Sequence, residues 1–181
     1  MNEGKKFEQQ FKKCAESAKG AWVYRFRDGT GSWGGGDKTR FQASNICDFE
    51  VFYKRTLFLI ELKHHQGASI PYSAIRQNQI SGLAKASETD WIMSGFLIFF
   101  RDKERVFFVD ALSVENHFFN SGRKSIPFSW CQENGIEVET LKVRTSYKFN
   151  IEKLLNELLE VLERNGGNLH EPYRLQCGGL S

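Results

Sequence analysis

Three acids, two lysines and an arginine lie in the stretch CDFEVFYKRTLFLIELK, which is otherwise rich in residues typical of β-strands. Asp48 stands near the start of the stretch, and Glu61 and Lys63 stand near its end. Carboxylates supply the oxygen ligands that hard divalent cations take. Whether these residues can do such chemistry therefore depends on whether the chain brings the two ends of the stretch together.

The stretch is predicted to fold as a β-hairpin with its turn at Lys54-Arg55, because both flanking segments favour strands. With a two-residue loop, residue 53 faces residue 56 and residue 52 faces residue 57, so Asp48 faces Glu61. A three- or five-residue loop would instead turn Asp48 to the other side of the sheet. Like charges that face each other on paired strands repel, so this register calls for a positive charge beside them.

Two sources of that positive charge are open from the residues alone. Lys63 lies two residues after Glu61, and the period of a strand puts both on the same face. Lys63 could neutralise the acids in an ordinary ion pair at the end of a sheet, or the acids could hold a divalent cation. Glu50 shares the face of Asp48 and is the acid most easily mistaken for a ligand.

The composition describes a globular protein of one domain: 181 residues, of which 40% are hydrophobic and 26% charged. The net charge is +3, and the basic excess lies in residues 1–40, where a local basic face would suit phosphate binding. The four cysteines form no C-x-x-C pair, which argues against a zinc site and favours free thiols. We expect a soluble cytoplasmic protein, because no apolar run approaches about 20 residues.

The pattern of apolar residues predicts an alternation of helices and strands around the hairpin. The near-continuous apolar character of the two strands after the second helix suggests that they are central in the sheet. The segment 27–45 is Gly-rich and is predicted to be a loop, and the folded domain is expected to end at residue 165, before a disordered tail, 166–181. The predicted helices are 2–18, 73–87, 112–119, 129–134 and 151–163, and the other predicted strands are 21–26, 93–100, 105–110 and 136–143.

An ordered set of short motifs resembles the PD-(D/E)xK nuclease superfamily, and within it the RecU-like Holliday junction resolvases of phage type. The motifs are G-x-x-F-E at Gly4, Phe7 and Glu8, S-x-x-x-D-F at Ser44, Asp48 and Phe49, E-x-K at Glu61 and Lys63, S-I-P at Ser69 to Pro71, and Q-I at Gln79-Ile80. As a set they are far more specific than any one of them. The resemblance implies an α/β fold with a restriction-endonuclease-like core, in which helices flank a central mixed β-sheet.

The resemblance also implies roles for individual residues. Asp48, Glu61 and the Leu62 carbonyl would bind Mg²⁺, with Mn²⁺ as a substitute, and Glu8 would complete or orient the site. Lys63 would position the attacking water or help to deprotonate it. Gln79, which the helix pattern places on the inward side, and Ser44 would support these groups from behind.

DNA contacts are expected from the Gly-rich loop and from basic residues near the site. In the family the equivalent region is a longer stalk that reaches into the junction, and a tryptophan in the shorter loop here could stack on a base. The expected DNA-contacting residues are Arg27, Trp33, Lys38, Arg40, His64, Lys5 and Lys12.

The resemblance as a whole implies an endonuclease that resolves four-way DNA junctions as a homodimer, because two symmetric nicks need two related sites. Two alternatives stay open. One is another PD-(D/E)xK endonuclease, of the nicking or restriction type. The other is a junction-binding protein without catalysis, which the presence of all three residues Asp48, Glu61 and Lys63 disfavours.

Overall fold

A computed structural model describes residues 3–26 and 45–169 of the chain. It contains a mixed β-sheet with helices on both faces, in agreement with the predicted fold class. The helices are α1 (Glu3–Glu16), α2 (Gln77–Ala86), α3 (Ala111–Asn120), α4 (Phe128–Asn134) and α5 (Ile151–Arg164). The strands are β1 (Trp22–Arg25), β2 (Phe49–Tyr53), β3 (Thr56–His65), β4 (Ser69–Pro71), β5 (Ile92–Phe100), β6 (Arg105–Asp110), β7 (Ser125–Pro127), β8 (Ile136–Val138), β9 (Thr140–Val143) and β10 (Ser146–Phe149).

The main sheet has six strands in the order β1-β2-β3-β5-β6-β8. Only β3 and β5 run parallel, and they are joined through α2, whereas the other neighbours are antiparallel. Helices α1 and α5 cover one face of the sheet, and α2, α3 and α4 cover the other. Strands β5 and β6 are buried almost throughout, as their continuous apolar sequences predicted.

The β2–β3 hairpin has the predicted register, because Tyr53 pairs with Thr56 and Phe49 pairs with Ile60. Its two turn residues, Lys54 and Arg55, have φ angles of 45° and 67°. Positive φ at both positions matches the right-handed twist of the flanking strands and gives a tight hairpin, even without the Asn-Gly pair that usually occupies such a turn. The turn therefore fixes which face of the sheet each carboxylate occupies.

Two parts of the chain fold differently from the prediction. The predicted helix 73–87 begins only at Gln77, because Ser69–Pro71 forms β4, which pairs with β7, and a 3₁₀ turn follows at Tyr72–Ala74. The predicted strand 136–143 is divided at Glu139 into β8, which extends the main sheet, and β9, which pairs with β10 instead. Both differences arise from pairing between segments that the local pattern of residues does not specify.

The end of the domain also lies later than predicted. Residues 166–169, which were assigned to the disordered tail, pack against the start of β5: the Trp91 amide donates to the Gly167 carbonyl at 2.7 Å. Asn168 donates to the Glu88 carbonyl, and Leu169 is buried. The remainder of that tail, residues 170–181, lies outside the described residues.

A buried acid begins helix α3. The Asp110 carboxylate accepts a hydrogen bond from the Ser113 amide at 2.8 Å, and its other oxygen has no hydrogen-bond partner among the residues that the structure describes. Burial raises the pKa of Asp110 to about 6, although the Ser113 hydrogen bonds oppose the rise. The charged form of this acid is therefore costly to the folded protein at neutral pH.

Asp110→Asn is expected to remove a pH dependence of stability. The folded protein holds the Asp110 proton more tightly than the unfolded chain, whose aspartates have pKa values of about 4. The free energy of unfolding should therefore fall by up to about 3 kcal/mol as the pH rises from about 4 to above 6. An asparagine at position 110 can still accept the Ser113 N–H but does not ionise, so the variant should not show that fall. Urea unfolding between pH 4 and 7 measures it. Parallel curves for the two proteins would contradict the assignment, and Glu133→Gln, at an exposed acid, is the control.

The described residues contain no helix that combines the length and the apolar character needed to span a membrane.

Candidate active site

The predicted site residues meet in a cleft of about 330 Å³ at the end of the β2–β3 hairpin. Helix α1 forms one wall, β3 forms the floor, and the segment around β4 forms the opposite wall. The lining residues are Gly4, Phe7, Glu8, Asp48, Glu61, Leu62, Lys63, His64, Ile70 and Ala74. Glu50, the competing acid on β2, does not line the cleft.

Asp48 is fixed by the neighbouring strand. It lies one residue before β2, and its side-chain oxygen Oδ2 accepts the backbone N–H of Leu62 at 2.8 Å. The side chain thus replaces a backbone acceptor where the hairpin ladder ends. This hydrogen bond holds the carboxylate over β3, beside Glu61, and the sequence did not predict it.

Glu61 is a buried acid with only one oxygen engaged. Its side chain is almost fully buried, and Oε1 accepts hydrogen bonds from Gln79 Nε2 at 2.7 Å and from Lys63 Nζ at 2.8 Å. Oε2 is buried without a hydrogen-bond partner among the described residues. Burial, and then the negative charge of Asp48, raise the pKa of Glu61 to about 7, against the opposing influence of Lys63 and Gln79.

Gln79 connects Glu61 and Lys63 to the start of α2. Its Oε1 accepts from Lys63 Nζ at 3.2 Å and from the Arg76 backbone N–H at 3.3 Å, while its Nε2 donates to Glu61. These contacts determine the orientation of the amide, because only the oxygen can accept. Gln79 therefore holds the Glu61 carboxylate and the Lys63 ammonium in place and also caps the helix, while its supporting role in catalysis stays a prediction.

Glu8 lines the same cleft but is engaged elsewhere. Its Oε2 accepts a hydrogen bond from the Arg25 guanidinium of β1, and the two side chains form an ion pair. Within residues 3–26 and 45–169, no three side chains of His, Cys, Asp or Glu come close enough together to hold a metal ion. Arg25 is a residue of the site that the motifs did not indicate, and it could have been suspected only as a cation on the strand next to α1.

The donors at the head of the cleft fit a hard divalent cation. Two carboxylates and a backbone carbonyl, those of Asp48, Glu61 and Leu62, offer only oxygen, which is the ligand type of Mg²⁺ and Mn²⁺. The buried Glu61 Oε2 lacks a partner within the described part of the chain, and buried polar atoms without one are rare. A cation would also relieve the repulsion that raises the pKa of Glu61.

The other predicted residues are distributed unevenly. His64 lines the cleft, and burial together with the nearby Arg101 lowers its pKa. Lys5 and Lys12 are exposed on α1 and do not line the cleft, and Lys12 pairs with Glu16 at 3.5 Å. Five further predicted residues lie outside the described residues: Arg27, Trp33, Lys38, Arg40 and Ser44.

Two known proteins are similar to this chain over most of its length. The chain is 32% identical to the SPbeta prophage-derived uncharacterized protein YotM of Bacillus subtilis (strain 168) over 184 residues, which cover 93% of each chain. A solved structure, that of the Holliday junction resolvase Hjc of Archaeoglobus fulgidus, is 16% identical with a TM-score of 0.44, covering 74% of this chain and 95% of Hjc.

The family model of RecU, recombination protein U, matches residues 30–154, which is more than half of the chain. The matched segment contains Asp48, Glu61, Lys63 and Gln79, whereas Glu8 lies before it. The resemblance to RecU-like proteins is therefore confirmed, and the prophage origin of YotM agrees with its phage-type character. This chain belongs to the RecU family of recombination proteins.

Proposed function

We propose that this protein is a structure-selective endonuclease that resolves four-way DNA junctions by metal-dependent hydrolysis of a phosphodiester. The observation that carries the proposal is the cleft at the hairpin end, where Asp48 and the half-engaged Glu61 lie beside Lys63. Membership of the RecU family supports recombination intermediates as the substrate.

Asp48, Glu61 and the Leu62 carbonyl would hold Mg²⁺, and Mn²⁺ would serve as a substitute. When bound, the cation would lower the pKa of a coordinated water and neutralise charge on the phosphate. Burial of Glu61 suits this role, because a carboxylate with little competing hydration binds a cation in a defined geometry.

Lys63 would orient the attacking water or donate to a phosphate oxygen. Its ammonium is held between Glu61 Oε1 and Gln79 Oε1, at 2.8 and 3.2 Å. An ammonium has three donors, so one N–H is available for the substrate once these two acceptors are served. Gln79 keeps the lysine in place by fixing it to the start of α2.

Glu8 would act at the edge of the site. Its ion pair with Arg25 joins α1 to β1 across the cleft wall, and the pair places a carboxylate and a guanidinium together near the metal ligands. We propose that Glu8 completes or orients the site when the substrate arrives, because a phosphate can compete with a carboxylate for a guanidinium.

A homodimer would supply two symmetric nicks. The face of β1 and β2 that carries Trp22, Tyr24 and Phe52 exposes about half of each of these aromatic side chains. Trp22 pairs with Phe52 across the strands and stacks on Tyr24, so the three rings form one patch. Exposed apolar patches mark interaction surfaces, and we propose that a second copy of this chain covers this one.

The Gly-rich loop 27–45 completes the proposal as the segment that contacts the open centre of the junction. Trp33 would stack on a base there, and Arg27, Lys38 and Arg40 would meet phosphates. A DNA substrate of this kind would place the enzyme in the cytoplasm.

The proposal is tested with labelled DNA of three kinds: a four-way junction, a linear duplex of the same sequence and a single strand. Each is incubated with Mg²⁺, with Mn²⁺ or with EDTA, and the products are mapped at nucleotide resolution. We expect paired nicks at symmetric positions of the junction with either metal and none with EDTA. Light scattering under the same conditions should give a mass of about twice 20.9 kDa.

Three results would overturn parts of the proposal. Equal cutting of duplex and junction would favour a nicking or restriction-type nuclease, and junction binding without cutting in either metal would favour a non-catalytic binding protein. Paired nicks from a protein that is monomeric at working concentration would remove the stable dimer.

A further inference from the structure

A second groove, of about 380 Å³, adjoins the active-site cleft. Phe7 and His64 line both, so the two spaces are neighbours on either side of these side chains. The second groove runs between the start of α1, the end of β5 and the hairpin formed by β9 and β10, and we call it the hairpin groove. Its lining residues are Glu3, Lys6, Phe7, Gln10, His64, Phe99, Arg101, Asp102, Lys142, Arg144, Thr145 and Tyr147.

Basic side chains predominate in the hairpin groove. Four lysines and arginines line it, against two acids, Glu3 and Asp102. Arg101 is partly neutralised by Glu3 at 3.6 Å, and Lys142 pairs with Glu104 beside the groove. Lys6 and Arg144 have no ion-pair or hydrogen-bond partner in the described part of the chain, so at least two cations remain to meet an external anion.

The hairpin that carries Lys142 and Arg144 is anchored at its base. Phe149 is buried and meets the ring of Phe7 edge-on, with 5.5 Å between centroids. The Tyr147 ring packs against Phe99 at 5.0 Å, and its hydroxyl donates to Glu104 at 3.1 Å. The tip is therefore held at a defined place next to the groove and is not a free loop.

The register of the hairpin places its cations on different faces. Lys142 pairs with Tyr147, and both line the groove. Lys148 pairs with Leu141, and because facing residues of an antiparallel pair share a face, these two point away from it. Lys148 is exposed and does not line the groove. It therefore carries the same charge on the same hairpin as the groove cations, but on the opposite face.

We propose that the hairpin groove binds the phosphate backbone of the DNA arm next to the cleaved phosphate. The inference rests on the proposed function, since it assigns a path to the DNA that enters the cleft. A groove lined by four cations next to the cleft is suited to a chain of phosphates, whose contacts with lysine and arginine fix the register of a protein on DNA without reading sequence. The motifs pointed to none of these four cations, and the N-terminal basic excess included only Lys6.

The test measures equilibrium binding in EDTA, where no cutting is expected, to a four-way junction and to a linear duplex over a series of salt concentrations. Arg144→Gln should raise the Kd for both DNAs by about fivefold and reduce the slope of log K against log [salt] by about one. The matched control Lys148→Gln makes the same change of charge on the other face of the hairpin and should leave both quantities close to those of the wild type.

A variant that is expected to tighten DNA binding distinguishes a lost phosphate contact from damage to the fold of the hairpin. Glu104→Gln removes the carboxylate that neutralises Lys142, and it should tighten binding to both DNAs by about threefold, which a damaged hairpin would not do. Unchanged binding in both Arg144→Gln and Glu104→Gln, or an equal loss in Lys148→Gln, would overturn the proposal.

The outcomes also separate this inference from the proposed function. If the wild-type protein binds and cuts junctions but the hairpin variants behave like it, only the path of the DNA is wrong. If the wild-type protein binds no DNA, the proposed function itself fails. With Mg²⁺, the control Lys148→Gln should cut the junction at the wild-type rate, because Lys148 lies on the face of the hairpin that points away from the groove.

Discussion

Asp48→Asn, Glu61→Gln and Lys63→Ala are each expected to lower the rate of junction cleavage on the order of 1,000-fold or more. The first two remove a proposed metal ligand and the third removes the ammonium beside it, and groups that stabilise charge at a reacting phosphate contribute several kcal/mol. Single-turnover cleavage with Mg²⁺ measures the loss. The Kd for the junction should stay equal or decrease in the two carboxylate variants, because a negative charge near phosphate is removed.

Glu50→Gln is the matched control for the carboxylate variants. Glu50 lies on β2, two residues after Asp48, but it does not line the cleft. Its amide variant should therefore cut at the wild-type rate. Wild-type activity in Glu61→Gln would remove the assignment of the site, whatever the control shows.

Metal binding by the same residues can be followed without cleavage. A ligand that binds only the folded state at a hundred times its Kd stabilises a protein by about 2.7 kcal/mol, or about 7 °C in Tm for a chain of this size. Mg²⁺ should produce such a shift in the wild type and in Glu50→Gln, and little or none in Asp48→Asn or Glu61→Gln. Equal shifts in all four proteins would place the cation elsewhere.

Gly95→Ala is expected to destabilise the protein by about 3 kcal/mol or more, or to prevent folding. Gly95 lies in the middle of β5, and a Cβ atom there would be 2.4 Å from the Val109 carbonyl oxygen and 2.5 Å from Cζ of Phe108. The carbonyl belongs to the backbone of the neighbouring strand, so it cannot turn aside as a flexible side chain could. Urea unfolding, or the soluble yield if the variant does not fold, measures the effect.

Gly122→Ala is the control for that substitution. Gly122 lies outside the regular elements with φ of +67°, and a Cβ atom added there would meet nothing within 4 Å among the described residues. The substitution therefore adds only the cost of a left-handed backbone, about 1 kcal/mol. The difference between the two variants in the loss of unfolding free energy measures the cost of the steric clash between β5 and β6. A loss in Gly95→Ala no greater than in Gly122→Ala would show that β6 can move away from β5.

The arrangement of Asp48, Glu61 and Lys63 at the end of the hairpin was predictable because strands have a strict period of two. Once the turn at Lys54-Arg55 was assumed to have two residues, Asp48 and Glu61 had to face each other, and Lys63 had to share their side. The structure has this register. No alignment with other parts of the chain was needed, since all the determinants lie within a single stretch of sequence, from Cys47 to Lys63.

The groups that complete the site were harder to predict because they come from distant segments. The helical pattern placed Gln79 on the inward side of α2, but its bonds to both Glu61 and Lys63 depend on how α2 crosses between β3 and β5. Arg25 reaches Glu8 from a different element, and the Leu62 amide belongs to the backbone, which carries no signal in the sequence.

The distribution of basic residues along the sequence did not predict which of them lie near the cleft in the folded protein. The N-terminal excess suggested Lys5 and Lys12, which are exposed on α1 away from the cleft. The basic residues beside the cleft include Lys142 and Arg144 of the β9–β10 hairpin. Only its first strand was predicted, as the end of a continuous strand 136–143, and β10 was not predicted. The break at Glu139 follows from strand pairing, and pairing between strands is a tertiary property.

Because Asp48 and Glu61 belong to one local hairpin, their carboxylates meet early when the chain folds. Hairpins form in about 1–10 μs, whereas the parallel pairing of β3 with β5 must wait for the crossover through α2 that also delivers Gln79. We therefore expect the hairpin to form against the repulsion between these two carboxylates, with Lys63 as the cation nearest to Glu61 in sequence. We expect refolding to be faster with Mg²⁺ present, or in Glu61→Gln, so the same two acids would set both the chemistry and the folding rate.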